Sequence, residues 1–437
     1  MKINFIEITP KEKYCLVKDF MGGFGWRFSV GKSFSAKMIE IVKRQGEKMP
    51  YLAFAYLAAI FVSEGHEVNY SQDEVLPADI TFIASSIVDY KNELEWIEKI
   101  KKSGSKVGVI GPFATVKPEI YREADFIIAG EPEQAALKIA RGEIKPEGYI
   151  NEGIIENLDK IPFPKWDIFP VKNYSYLPAL RQKPFLPILS SRGCPYPCNY
   201  CPYKVIFNKH RNRSPENVLA EIKELNDKHG IKAMLFRDPI FSLKRDHVKQ
   251  IASGLIKLNL GIRWACETRL DHLDEDLLLL MRRSGMRVLN IGVESVDHGV
   301  LQKATRIPIQ REREKQLIQY CDRIGIRVTA FYVFGLPDDT EETIKNTINY
   351  AKELNTHVAQ FFISTPFPGT GFYEDNKRDI IEKDWQSFDS YTPVLKHKNL
   401  TREQILNLKE KAFVSYYYRP RYLWKFAYRV IRDIICP

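Results

Sequence analysis

The sequence predicts an α/β protein: an N-terminal doubly wound (Rossmann-like) parallel sheet, then a partial (β/α)6 barrel, with a helical C-terminal tail. Three observations carry this. Short β-prone runs alternate with helical stretches over residues 1–150, and again from 185 to 370. A proline- and aromatic-rich stretch separates the two series. A basic, aromatic segment of helical periodicity ends the chain. The expected division is 1–150 for the first domain, 151–184 for a linker, 185–375 for the barrel and 376–437 for the tail.

Residues 2–8 read as the first strand, followed by helices at 34–45 and 51–63. Further strands are expected at 67–70, 80–84, 107–110 and 126–129, with helices at 91–102 and 132–140. The apolar run 51–62 is too short for a bilayer, which takes about 20 residues, and reads as a buried helix. Ligands of doubly wound sheets bind beyond the carboxyl ends of the strands. The loops there are Met21-Gly22-Gly23-Phe24-Gly25, Ser85-Ser86, Gly111-Pro112-Phe113 and Gly130-Glu131. Their glycines let a backbone approach a flat ligand. No Gly-x-Gly-x-x-Gly follows the first strand, which disfavours a dinucleotide.

The linker carries Pro162, Pro164, Pro170, Pro178 and Pro184 among aromatic residues. Such density resists helix and central strand alike and suggests a strap across both domains. The barrel opens with a strand at 185–191, then repeats helix and strand: 215–228 with 233–236, 244–258 with 263–268, 274–283 with 287–293, 311–323 with 327–334, and 340–353 with 357–364. Chemistry in such barrels sits where strands end. Those ends carry Arg237-Asp238-Pro239, Glu267 and Arg269, Gly292-Val293-Glu294-Ser295, Val333-Phe334-Gly335, and the turn 365–370.

Between the first barrel strand and its helix lies Cys194-x3-Cys198-x2-Cys201, stiffened by Pro195, Pro197 and Pro202. Soft thiolates select zinc or iron–sulfur clusters. A zinc knuckle needs four ligands, with His210 as the fourth, and lacks here the usual paired Cys-x2-Cys spacing. Three cysteines on a four-iron cubane leave one iron open to a cosubstrate. The other four cysteines are Cys15, Cys266, Cys321 and Cys436; they form no disulfide framework and fit a reducing cytoplasm. Met1-Lys2-Ile3-Asn4 leads into a strand rather than a signal peptide.

Net charge is +10, and half of it, from eight Lys/Arg against three Asp/Glu, lies in residues 401–437. A basic surface suits anionic partners, yet no nucleic-acid recognition motif is present. In the last helix Arg421, Lys425, Arg429 and Arg432 recur opposite Leu423, Ala427, Val430, Ile431 and Ile434. Such a basic amphipathic helix can lie in a membrane interface, or dock on the barrel.

The cysteine loop resembles the signature of the radical S-adenosylmethionine (SAM) superfamily, Cys-x3-Cys-x-aromatic-Cys, with Tyr200 as the aromatic residue. The resemblance implies a [4Fe–4S] cluster on Cys194, Cys198 and Cys201, and SAM contacts from Tyr200, Arg237, Asp238, Arg269, Glu294, Val333 and Gly335. The first domain resembles the cobalamin-binding domain that precedes many radical SAM barrels, over residues 50–59, Gly65-His66-Glu67-Val68 and Gly130-Glu131-Pro132-Glu133. That implies a cobalamin site at Gly23, Ser85, Ser86, Gly111, Pro112, Gly130 and Glu131. The Asp-x-His-x-x-Gly motif is absent, and His66 reads as a turn residue, so cobalamin would bind without that ligand. The resemblance implies a cytoplasmic enzyme, fed by a flavodoxin or ferredoxin, in which a 5′-deoxyadenosyl radical activates an unactivated carbon for C-methylation. The alternative is a cyclase or oxidoreductase on a lipid, isoprenoid or tetrapyrrole-like substrate without methyl transfer. A methylthiotransferase would need three N-terminal cysteines where only Cys15 stands. Peripheral membrane contact through 419–437 is a further expectation, and a zinc-stabilised nucleic-acid-binding protein is the reading from another class.

Overall fold

Two six-stranded parallel sheets follow one another along the chain, and the computed structural model describes residues 1–11, 16–44 and 47–435. Cys15 and Cys436 lie outside the described residues. The chain begins with β1 (Lys2–Glu7), the hairpin β2 (Leu16–Val17) and β3 (Trp26–Arg27), α1 (Phe34–Arg44) and β4 (Glu47–Lys48). It continues through α2 (Leu52–Ser63), β5 (Glu67–Gln72), β6 (Ile80–Ala84), α3 (Tyr90–Lys102), β7 (Lys106–Ile110), α4 (Pro112–Val116), β8 (Phe126–Ile128), α5 (Glu133–Ala140) and β9 (Gly148–Ile150). The first sheet has the order β5-β1-β6-β7-β8-β9, every pair parallel. Its sixth strand, β9, is a glycine-led three-residue run with no periodicity to read. The apolar run that forms α2 is buried along nearly its whole length against this sheet.

Residues 16–48 leave the first sheet and cross to the barrel. The pattern of aromatic residues explains why. Trp26 packs on Phe362 and Tyr391 with ring centroids 5.6 and 5.8 Å apart, and Phe28 meets Phe413 at 5.8 Å. Burying such rings is worth roughly 1.5–3 kcal/mol each, and these contacts hold the segment against the barrel and α13. β4 then pairs antiparallel with β10 (Ser175–Tyr176) of the proline-rich strap, which ties the insert and the strap together.

The second sheet starts at β11 (Phe185–Ile188), and the short ribbon β12 (Ser191–Arg192) with β13 (Arg211–Asn212) brackets the cysteine loop. The rest alternates: α6 (Pro215–His229), β14 (Ala233–Phe236), α7 (Arg245–Leu258), β15 (Arg263–Thr268), α8 (Glu275–Arg283), β16 (Met286–Glu294), α9 (His298–Lys303), α10 (Arg311–Ile324), β17 (Arg327–Phe334), α11 (Glu341–Leu354) and β18 (Val358–Ile363). The order β11-β14-β15-β16-β17-β18 is that of an open, six-stranded parallel barrel. Sequence-coded caps fix several helix starts: Ser214, Asp274 and Thr340 each accept a backbone N–H three residues on. α12 (Gly371–Asn376) follows, then α13 (Arg402–Tyr417), which packs against β18 and α11, and α14 (Pro420–Ile435).

Candidate active site in the barrel mouth

The cysteine loop starts at Gly193, whose φ of +82° suits glycine, and where a Cβ would lie 2.1 Å from the Lys209 carbonyl oxygen. Asp238 holds the base of this loop. It is fully buried and accepts from Ser190 N (3.0 Å), from the Ser190 hydroxyl (3.2 Å) and from Ser191 N. Burial pushes its carboxyl up to about 6 against those hydrogen bonds. Thr305 pins the other side, accepting from Asn199 N at 3.0 Å and donating to the Pro197 carbonyl at 2.7 Å.

Cys194, Cys198 and Cys201 all line one cavity of about 360 Å³ inside the barrel, a volume in the range of small-molecule sites. Burial raises the thiols of Cys194 and Cys201, the latter to about 12. Among the described residues no three His, Cys, Asp or Glu side chains converge on a single metal ion, and His210 turns to the Gly193 carbonyl instead. The zinc-knuckle reading therefore lacks its ligand set, whereas a cubane spreads three thiolates over a body larger than one ion. The donor chemistry of the loop fits a [4Fe–4S] cluster.

Beside the cysteines the rim carries the groups a zwitterionic cosubstrate needs. A register shift between Gly292 and Glu294, with φ +67° at Glu294, turns the end of β16 into the cavity. A Cβ on Gly292 would meet the Glu294 carboxylate at 2.4 Å and the Arg306 guanidinium at 3.0 Å, so a side chain there would displace both groups. Arg269 spends Nε and Nη2 on Asp271 and the Ile307 carbonyl, stacks on Tyr196 at 4.3 Å, and keeps a buried Nη1 without a partner. An unpaired buried guanidinium nitrogen is costly unless a carboxylate completes it. Tyr200 and Val333 face the same cavity. Arg237 lines it too, held by Asp19 (3.1 Å) and Glu267. These residues fit SAM.

Two expected contacts lie elsewhere. Asp238 is turned under the loop it braces, and Gly335 is off the cavity wall, its carbonyl accepting from the Ser364 hydroxyl. Two residues escaped sequence reasoning. Arg306 lies 3.6 Å from Glu294 and 4.0 Å from the Cys198 sulfur and donates to the Gly292 carbonyl, and Thr305 is the loop staple. Both follow the six-residue α9, and no local motif marks them.

The carboxyl edge of the first sheet borders two further spaces that share Asp19 and Tyr51. One, of about 100 Å³, is lined by Gly23, Gly111, Pro112 and Gly130, and the other, of about 400 Å³, by the end of β1 and the strap. The smaller meets the barrel cavity at Gly22, Tyr203 and Arg237. The glycines of the smaller space leave the backbone open to close approach by a flat ligand, the chemistry a cobalamin site asks for. The remaining expected contacts do not face it. Ser85 accepts from Ala114 N (3.1 Å), Ser86 donates to Glu93 (2.7 Å), and Glu131 is buried in ion pairs with Arg192 and Arg211. Each satisfies a buried partner within the fold, as burial demands. His66 bonds the Ala140 carbonyl at 2.8 Å, at the opposite end of β5.

An open parallel barrel with a three-cysteine loop over its mouth, joined to a doubly wound sheet, defines an enzyme of cluster-and-cosubstrate chemistry. The Radical SAM superfamily signature matches residues 188–351. The chain is 30% identical to the uncharacterized methyltransferase PH0819 of Pyrococcus horikoshii, over 87% of this chain and 90% of that one. The chain belongs to the radical SAM superfamily, whose members use a [4Fe–4S] cluster and SAM. It is 27% identical to the anaerobic magnesium-protoporphyrin IX monomethyl ester cyclase of Rubrivivax gelatinosus, over 71% of this chain and 61% of the cyclase. Its fold resembles that of the radical SAM methyltransferase TsrM of Kitasatospora setae, solved with cobalamin and a [4Fe–4S] cluster, with a TM-score of 0.62 at 16% identity over 86% of this chain and 78% of that one.

Proposed function

We propose that the chain is a cobalamin-dependent radical SAM C-methyltransferase acting on an unactivated carbon of a largely apolar small molecule. The observation that carries this is the junction at Gly22, Tyr203 and Arg237, residues that line both the glycine-bordered space of the first sheet and the cavity of the cysteine loop. In that arrangement the cluster and SAM supply a carbon-centred radical and cobalamin supplies the methyl group. The chain's own part is to bind, orient and exclude water. Cys194, Cys198 and Cys201 hold the cluster; Arg269 Nη1 takes the SAM carboxylate, and Tyr200, Arg237, Glu294, Arg306 and Val333 complete its surroundings. Gly23, Gly111, Pro112 and Gly130 border the cobalamin. Asp238 and Gly335 act through the loop and the β17 turn they fix. The far half of the cavity, lined by Trp26, Phe28, Phe331, Phe362 and Tyr176, takes the substrate. The domain plan is 1–150, 151–184, 185–375 and 376–437, with residues 16–48 as the barrel's cover. A flavodoxin- or ferredoxin-type carrier delivers the electron, and residues 419–437 touch a membrane surface.

The similarity to a cyclase supports a second reading, oxidative ring closure without methyl transfer. Anaerobic purification from cobalamin-fed cells, followed by turnover with methyl-deuterated SAM, separates them. Iron with cobalt and a deuterium-labelled, heavier product are expected. A product lighter by hydrogen favours the cyclase, and a protein that takes up zinc in place of iron overturns both.

A further inference from the structure

Helix α1 is apolar on its outer face as well as its inner one. Its inner face carries Ala36, Ile39 and Glu40, with Glu40 accepting from Val30 N at 2.8 Å. Its outer face carries Phe34, Met38, Ile41 and Val42, at i, i+4, i+7 and i+8, all exposed, with Phe34 at 81% and Val42 at 71%. A surface helix normally keeps its outer face polar. A second exposed apolar set lies on α14, where Leu423 and Trp424 are open to solvent, Trp424 at 78%. Tyr418, two residues ahead of α14, links the two segments: its hydroxyl donates to the Ser35 carbonyl at 3.3 Å, beside Phe34. Contiguous exposed apolar surface marks an interaction site. In sequence, α1 and α14 carry seven Lys/Arg against two Asp/Glu. Exposed apolar and aromatic residues on segments that also expose Lys32, Lys37 and Arg421 fit the interface of an anionic bilayer.

We propose that α1, together with α14, forms a two-helix face that docks on an anionic lipid surface. The tail is then only half of the membrane contact. The larger half is part of the insert that covers the barrel. At its far end α1 carries Lys43 into the cavity wall, where the ammonium reaches Gln360 at 2.8 Å. An apolar substrate leaving the bilayer therefore meets the cavity's cover first. That route rests on the proposed function, while the docking itself does not.

The test uses the full chain, loaded with its cluster, and sedimentation with vesicles of equal parts phosphatidylcholine and phosphatidylglycerol. Binding is expected, weakened by salt and by omission of phosphatidylglycerol. Phe34→Glu with Val42→Glu is expected to weaken it by at least about ten-fold, and Trp424→Glu to add to the loss. Iron content and thermal midpoint report whether the variants remain folded. Because vesicle binding needs no turnover, a failed radical assay leaves this result standing, and the converse. No binding by the parent chain, unchanged binding by the α1 variant, or a solution dimer dissolved by the same substitutions each overturns the proposal, the last by assigning the face to a second copy.

Discussion

Gly193 shows how one residue governs the metal loop. Alanine there must hold φ near +82° and find room where the Lys209 carbonyl already lies. The left-handed conformation alone costs about 1–2 kcal/mol. Gly193→Ala is expected to lower iron per chain after reconstitution while leaving the far-ultraviolet circular dichroism unchanged. Arg306 acts by charge. Its guanidinium stands 4.0 Å from the Cys198 sulfur, so it stabilises the more negative, reduced cluster. Arg306→Ala is expected to move the reduction potential downward by about 60 mV, read by anaerobic redox titration. The cysteines were legible because their chemistry is written in eight consecutive positions. Arg306 was not, since it reaches the loop from more than a hundred residues downstream. Asp238 stood at the right position and had the right type, but backbone N–H groups of the neighbouring strand end claimed its carboxylate.

Among elements, the long helices and the barrel strands could be read because amphipathic periodicity sustained over ten or more residues has few alternatives. α6, α10 and α11 each lie within a few residues of expectation. The two-residue strands β2, β3, β4 and β10 carry no periodicity, so the cover over the barrel, although its aromatic residues stood in the sequence, was assigned to the first domain. What keeps α1 on that cover is α13. Glu410 accepts from Lys32 N at 2.7 Å and from Ser33 N at 3.1 Å, satisfying donors that lead into the helix. Glu410→Ala is expected to cost about 1 kcal/mol, as cap removal typically does, and to shift the urea midpoint accordingly. Protease sensitivity should rise within residues 28–44, and unchanged cleavage would count against the capping role.

At the scale of the molecule, several carboxyls other than the loop-bracing Asp238 are held out of water. Burial raises Glu314 to about 7 against a hydrogen bond from Tyr350, and Asp339 to about 7 against one from Thr343. Glu47, beside the cavity, is likewise raised to about 7 by burial. A raised value means that the folded chain keeps its proton to higher pH than the unfolded chain. These groups therefore stabilise the fold as pH falls through 7 toward the ordinary carboxylate range, and the gain is lost as pH rises through 7. The urea midpoint of the metal-free protein is expected to be higher just below pH 7 than just above it, and Glu314→Gln should flatten the slope. A midpoint that climbs with pH across that window contradicts the assignment.

The insert also sets an order in time. Arg27 bonds Asp389, Lys32 bonds Glu410, and Lys409 bonds the Ser29 carbonyl, contacts separated by 362, 378 and 380 positions along the chain. Contacts between such remote positions form late, because the loop between them must close first. On the ribosome the partners of residues 27–32 do not exist until the chain is nearly complete. Both sheets can assemble while the barrel still lies open to the cytosol or to an assembly factor. The cover beside the three cysteines is thus completed only once α13 has emerged, after both sheets can already have formed.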